Sequence, residues 1–312
     1  TMLWLFIALL GYFFLALVFV MDKVILTKNV PSPAVYTWYS TIFLFAILLC
    51  LPFGVDALSG MDWVVALFSG IFFGLALWCS FIAVKEGQAS HINPFVGAIT
   101  TIGTYFFAAT FLLETLSNTQ LIGMGILVFS SILFSFEKSK KHNGFHIGFV
   151  WAILSGLLFA ASHVSAKYIY IYYDFFSGFV WTRASIGVVA LLTLFHPDVR
   201  ALFTKKRTQK KKKKHTLRLV VLDKILGALA LVLIQYAIAI GNTSVVVALS
   251  GLQFAFMVLL VYGLTFFAPK IFLVTFLEDS QNLKNFKGNN DNTQKIEREN
   301  MLKDAREIKT KL

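Results

Sequence analysis

Charged residues are scarce in this chain of 312 residues, at 14% of the total, whereas apolar residues make up 57%. Soluble domains carry roughly 25% charged residues and 45–50% apolar ones. The mean hydropathy of +0.74 points the same way. One globule of this size cannot bury so much apolar surface, so the composition excludes an ordinary soluble fold and indicates a lipid environment.

Cysteine is nearly absent as well. Cys50 and Cys79 lie inside apolar segments, where we expect them to pack as small apolar side chains rather than to form a disulfide or bind a metal. The middle of the first apolar segment has no carboxylate, which disfavours proton-coupled export of lipophilic cations. No nucleotide-binding glycine loop, paired-aspartate motif or zinc-protease motif is visible. We therefore expect no enzyme, no cofactor and no metal site.

Long apolar runs dominate what is present, and a spanning helix needs about 20 such residues. The segment after Pro269 is different, because Ile271 to Leu277 is too short to cross and residues 278–312 form a polar, charged tail. We predict an all-α polytopic membrane protein of nine to ten transmembrane helices. The candidate spans are 3–21, 34–53, 62–84, 92–113, 119–136, 147–172, 176–196, 220–240 and 244–267.

Basic residues concentrate in the loops, above all between Lys205 and Arg218. The first, third, fifth and seventh loops carry lysine, whereas the second, fourth and eighth carry neither lysine nor arginine. By the positive-inside rule the odd loops, including the polylysine loop, are predicted to be cytoplasmic in a plasma-membrane protein. The Lys205–Arg218 loop is expected to contact anionic lipid headgroups, and no nucleic-acid role is predicted.

The two halves of the chain resemble each other when one is shifted along the other. A shift of 145 residues pairs Gly11 with Gly156 and Pro52 with Pro197, and a shift of 154 pairs Gly87 with Gly241. The registers differ by nine residues, about the size of the polylysine insertion between them. Because the first copy has five spans, the second must enter the membrane inverted, an arrangement typical of secondary transporters.

One segment also resembles a known family. Ala83 to Pro94, the apolar span that ends in Leu112-Leu113-Glu114, and the following Gly123 are similar to the EamA-like repeat of the drug/metabolite transporter superfamily. The resemblance implies two inverted five-helix repeats, at 3–137 and 145–277, with residues 278–312 as a tail. It also implies transport of metabolites, often as export. The second copy has Ala268 where the first has Glu114, and its tenth helix is short or missing.

Polar residues at membrane depth indicate function by default. His163 lies deep in the sixth span, and a structural histidine bonded to a neighbouring helix is the alternative interpretation. For Gln235 and Gln253 the alternative is a hydrogen bond that holds two helices together. For Trp78 and Tyr105 it is packing, and for Arg183 it is a side chain that extends to the membrane interface. Gly70 and Gly74 indicate close helix packing instead. The candidate substrate-binding residues are His163, Gln235, Gln253, Trp78, Asn93, Thr101, Tyr105 and Arg183.

These features predict a transporter that moves a small polar metabolite, amino-acid-like, sugar-like or anionic, by alternating access. The alternative from another class is a non-transporting scaffold or lipid-binding subunit, which would dock through the polylysine loop and the tail. A membrane enzyme acting on lipid-linked substrates is a third interpretation. The expected partners are a small-molecule solute and the lipid bilayer, and a homodimer is compatible with the sequence.

Overall fold

The computed structural model describes residues 2–26, 32–86, 89–135, 147–204 and 214–267, and these residues form helices and connections only. The predicted tenth-span segment, the polar tail and Lys205–Lys213 lie outside the described residues, while Lys214–Arg218 open a helix. The helices are α1 (Leu3–Leu26), α2 (Pro33–Phe45), a 3-10 helix (Ala46–Phe53), α3 (Asp62–Glu86), α4 (Ala89–Phe111), α5 (Asn118–Ser135), α6 (Ile147–Tyr172), α7 (Phe175–Ala184), α8 (Gly187–Thr193), α9 (Pro197–Thr204), α10 (Lys214–Ile240), α11 (Thr243–Ala248) and α12 (Ser250–Phe267).

Within the described part of the chain, nine helical stretches are long and apolar enough to cross a membrane. They coincide with the nine predicted segments apart from shifts at their ends. Large apolar side chains on the outer surface, such as Phe106 and Phe129, remain more than half exposed within the protein. Lipid is the solvent that suits such a surface. The predicted all-α polytopic membrane fold is confirmed.

The second span changes its helical geometry part of the way along, whereas the sequence predicted one helix over 34–53. Pro33 begins α2. A backbone N–H at this position would have no acceptor within the helix, so the missing N–H of proline costs no hydrogen bond. From Ala46 the backbone tightens into a 3-10 helix that contains Pro52 and ends at Gly54, whose φ is +86°. A proline lacks the N–H that an α-helix needs, and a glycine adopts this left-handed turn without a Cβ clash.

Two further spans are interrupted where the sequence predicted continuous helices over 176–196 and 244–267. In the seventh span, α7 gives way to α8 at Ser185 and Ile186, and the N–H of Ile186 donates to the carbonyl of Arg183 at 3.1 Å. In the ninth span, the N–H of Leu252 donates to the carbonyl of Leu249 at 2.9 Å, between α11 and α12. These three-residue hydrogen bonds tighten the backbone at each break.

Helix α6 lies at the centre of the bundle, with α3 and α4 packed against it, while α1 packs against α10. The predicted close packing at Gly70 and Gly74 is confirmed. A Cβ added at Gly70 would lie 2.5 Å from the Cβ of Ser185, and one at Gly74 would lie 2.7 Å from the Cβ of Val189. The backbone of α3 therefore reaches the break in the seventh span directly, because no side chain separates the two.

Candidate functional site

A polar cluster lies beside the break in the seventh span, and Arg183 at the end of α7 is its charged member. Arg183 is 1% exposed, and Gln235 of α10 is fully buried. The Nη2 of Arg183 donates to the Oε1 of Gln235 at 3.3 Å, and the hydroxyl of Tyr170 donates to the same oxygen at 3.1 Å. Side chains from α6, α7 and α10 thus meet at one amide oxygen.

His163 completes the cluster from α6, two turns before Tyr170 on the same helix face. Its Nδ1 lies 3.3 Å from the Nε2 of Gln235. Arginine only donates hydrogen bonds, so the Gln235 atom that faces Arg183 must be the oxygen, and the amide nitrogen then faces His163. The amide donates to Nδ1, so a neutral His163 carries its proton on Nε2.

Aromatic rings from α3 and α6 surround the charged and polar groups. The guanidinium carbon of Arg183 lies 4.7 Å from the centroid of the Phe73 ring, a cation–π distance. The ring of Phe159 stacks on His163 with centroids 6.3 Å apart, and Phe73 meets His163 edge-on at 6.4 Å. Because Phe73 lies in the predicted first repeat and the other residues in the second, the site lies where the two predicted halves meet.

Arg183 retains unused hydrogen-bonding capacity at this depth. Among the described residues, its Nε and Nη1 atoms are buried without a hydrogen-bond partner. The ion pairs within that part of the chain do not include Arg183. The sequence-based alternative that Arg183 reaches the membrane interface is wrong, since its side chain is enclosed by protein.

The structure brings together three of the eight predicted binding residues, namely His163, Gln235 and Arg183. It also adds Tyr170 and Phe73, which the sequence analysis missed. Tyr170 follows His163 by seven residues and therefore lies on the same helix face, a spacing that could have identified it. Phe73 had no such signal, because aromatic residues make up 16% of the chain.

The remaining predicted binding residues lie apart from this hydrogen-bond network. Thr101 is 2% exposed, and its hydroxyl donates to the carbonyl of Gly97 in its own helix at 2.9 Å. Trp78 packs with Ala34, Val35 and Val199, and its ring lies 6.3 Å from that of His196. Asn93 and Tyr105 are half-buried on α4, and Gln253 is 3% exposed on α12.

Two charged side chains hold the junction between α10 and α11. The Nζ of Lys167 donates to the carbonyls of Ile238 and Ala239 at 2.9 Å and to that of Gly241 at 2.8 Å. The Glu114 carboxylate accepts from the N–H and hydroxyl of Thr243 at 3.1 and 2.8 Å. A cation at a helix C-terminus and an anion at a helix N-terminus both stabilise unpaired backbone groups. Glu114 thus caps a helix other than the one it follows in the chain.

The model of the EamA-like transporter family matches residues 2–136. This match covers, and confirms, the resemblance seen at Ala83 to Pro94 and Glu114.

A solved structure described as "Crystal structure of protein" is similar to this chain, with a TM-score of 0.60 at 17% sequence identity. The similarity covers 92% of this chain and 98% of the solved one, and it supports the fold alone. No curated protein matches the chain in sequence.

Proposed function

We propose that this EamA-like chain is a transporter that carries a small polar metabolite across the plasma membrane by alternating access. The observation that carries this proposal is the buried cluster of Arg183, Gln235, His163 and Tyr170 beside the broken seventh span. Polar groups at membrane depth are costly, and they generally mark solute or ion pathways. Transporter sites lie near the membrane midplane, at interrupted helices where two repeats meet.

The arrangement of the cluster supports a role in moving a solute. Its members come from α6, α7 and α10, with Phe73 of α3 against them, so a shift of one half of the bundle against the other would change the contacts around Arg183. The three-residue hydrogen bonds at Ser185 and Ile186 mark a point in the seventh span where the regular α-helical pattern is interrupted. Such a point suits rearrangement between inward-facing and outward-facing states.

The orientation of the transporter follows from the charge of its loops. We propose that the odd loops face the cytoplasm because lysine is concentrated in them, and this includes the polylysine loop at Lys205–Arg218. The chain would then expose the Lys167–Glu114 junction on the outer side. Export is the direction that the family resemblance favours.

The test of transport is counterflow in liposomes that contain the purified protein, with pooled labelled metabolites divided into smaller pools once a signal appears. Gln235→Ala would leave Arg183 and Tyr170 without their shared acceptor, and an unsatisfied buried group costs about 1–3 kcal/mol. We expect saturable flux in the wild type and a loss of about tenfold or more in Gln235→Ala. His163→Ala, which removes the other partner of Gln235, should lower the flux as well.

Gln120→Ala is the matched control for Gln235→Ala. The amide oxygen of Gln120 accepts from the N–H of Ser117 at 2.9 Å, which closes a capping box at the start of α5. This substitution removes the same side chain from a helix end, so it should reduce stability and leave flux close to that of the wild type. Equal flux in all variants would place the solute elsewhere in the bundle. A folded protein that moves no pool would contradict transport and favour the scaffold alternative.

A further inference from the structure

The guanidinium of Arg183 is a buried cation without a counter-ion among the described residues. Its neighbours are the neutral amide of Gln235, to which it donates a hydrogen bond, the hydroxyl of Tyr170 and the face of the Phe73 ring. None of these groups supplies a negative charge. Burying a charge is costly unless the charge is paired and hydrogen-bonded, so a purely structural role would be served better by an apolar residue of similar volume.

The hydrogen-bond network around Arg183 determines what kind of group would complete it. The Oε1 of Gln235 already accepts from Arg183 and Tyr170, and the Nδ1 of His163 already faces the Gln235 amide. The groups left over include the donors Nε–H and Nη1–H of Arg183 and, in a neutral histidine, Nε2–H of His163. An ionised carboxylate only accepts hydrogen bonds and carries the missing negative charge.

We propose that the substrate of this transporter carries a carboxylate and that Arg183 binds it. This inference rests on the proposed function, because it assigns the substrate class of the same site. The carboxylate pairs with the unpartnered side of the guanidinium, while Gln235 and Phe73 hold Arg183 in place. A neutral amide of the same shape is rejected because its NH2 group would face donors and leave the charge unpaired.

The test compares small carboxylates with their amides in the same proteoliposomes. The probes are labelled acetate, lactate and succinate, set against acetamide, lactamide and succinamide, which carry no carboxylate. The wild type should transport at least one of the carboxylates and discriminate against the matching amide. Arg183→Gln should lower that flux about 10- to 100-fold, the range expected for loss of a charge-assisted hydrogen bond.

Two further variants test whether the charge of Arg183 or the planar shape of its guanidinium matters, and whether loss of an arginine elsewhere has the same effect. Arg183→Lys keeps the charge but loses the planar guanidinium, so we expect partial retention of carboxylate flux. Arg200→Gln is the matched control, since Arg200 is exposed on α9 and its Nε donates to the carbonyl of Leu194 at 3.3 Å. It should leave carboxylate flux close to that of the wild type.

Thermal unfolding of the purified protein gives a second readout that does not depend on transport. A ligand that binds only the folded state raises the midpoint of unfolding, by an amount that grows with the logarithm of its concentration above its Kd. The transported carboxylate should raise the midpoint for the wild type and for Arg200→Gln, and should lose this effect in Arg183→Gln. Without ligand, Arg183→Gln and Arg183→Met should unfold at or above the wild-type temperature, because each removes an unpaired buried charge.

The two readouts distinguish failure of this inference from failure of the proposed function. Flux of neutral or cationic metabolites without carboxylate flux or stabilisation would overturn the carboxylate assignment and leave the transporter standing. Arg183-dependent stabilisation by a carboxylate, with no flux of any solute, would support the anion site and contradict transport. Carboxylate flux that is unchanged in Arg183→Gln, or Arg183-dependent stabilisation by inorganic phosphate alone, would also overturn the assignment.

Discussion

At the residue scale, the polar groups that the structure gathers were visible in the sequence as exceptions within apolar runs. His163, Gln235 and Arg183 stand out because a charged or amide side chain in a spanning helix is costly. The sequence did not indicate that they touch, since 52 residues separate Arg183 from Gln235 and 72 separate His163 from Gln235. Trp78 was an equally reasonable candidate, but it packs with apolar side chains at a different place.

Asp174 illustrates a residue whose role depends on pH. It caps α7, and its carboxylate accepts from the N–H of Ser177 at 2.9 Å. Partial burial works against the charged form, but hydrogen bonds from Ser177 outweigh that effect and lower the pKa of Asp174. The charged cap therefore stabilises the fold above the unfolded pKa, and that contribution is lost as the pH falls through the lowered folded pKa.

We expect Asp174→Ala to lower the free energy of unfolding by about 1 kcal/mol at pH 7, the typical value for a lost N-cap. The difference from the wild type should shrink as the pH falls below the unfolded pKa of about 4 and then through the lowered pKa of the folded carboxyl. Asp174→Asn keeps a capping oxygen without a titrating charge, so its difference from the wild type should be smaller at pH 7. Thermal unfolding of the purified protein at both pH values measures these effects, and a pH-independent difference for Asp174→Ala would contradict the cap assignment.

At the element scale, the nine described spans were predicted from the sequence, and their interruptions were not. Apolar length identifies a helix that crosses the membrane, because every backbone group in lipid must be hydrogen-bonded within its own helix. The break at Ser185 and Ile186 involves residues that occur freely in continuous helices. Packing supports the break, because the backbone of Gly70 lies directly against it. A Cβ added at Gly70 would lie only 2.5 Å from the Cβ of Ser185.

Gly70→Ala should therefore separate α3 from the seventh span. The added methyl group would also lie 2.6 Å from the backbone nitrogen of Ile186, which cannot move away as a side chain could. Overpacking of this kind costs about 1–3 kcal/mol, and we expect the midpoint of thermal unfolding to fall accordingly. Transport should fall as well, because Arg183 lies next to the displaced segment.

Gly123→Ala provides the matched control within α5. A Cβ added at Gly123 meets no atom within 4 Å. Alanine is the better helix former by about 0.5–1 kcal/mol, so this variant should unfold at the wild-type temperature or slightly above it. Equal effects of the two substitutions would contradict the importance of the Gly70 contact.

At the scale of the whole molecule, the two predicted repeats contribute unequally to the polar cluster. In the registers that relate the two halves, the positions that match Arg183, His163 and Gln235 are occupied by Trp38, Val18 and Phe81. The charged part of the site thus belongs to the second half, while the first contributes apolar surface such as Phe73. We expect a carrier of this kind to hold its solute off-centre, against α6, α7 and α10.

The orientation of the molecule can be tested with single cysteines in a background that lacks Cys50 and Cys79. Thr115→Cys places a thiol in the fourth loop, where Thr115 is exposed. Ser139→Cys places one in the fifth loop, beside Lys138 and Lys140. We expect a membrane-impermeant thiol reagent to label position 115 in intact cells and position 139 only after the membrane is opened, because basic loops remain in the cytoplasm. Labelling in the reverse order would contradict the predicted orientation.

The sequence by itself determined the class of the protein, its nine described spans and the family resemblance of its first half, because these follow from local properties. Apolar length fixes a span wherever it occurs, and the family motifs lie within one continuous stretch of chain. Tertiary structure alone decided that Arg183, Gln235, His163, Tyr170 and Phe73 meet, that the seventh span breaks beside them, and that Lys167 and Glu114 hold the α10–α11 junction. These features depend on distances between residues far apart in the chain, and on a close approach of helices that only the packed bundle creates.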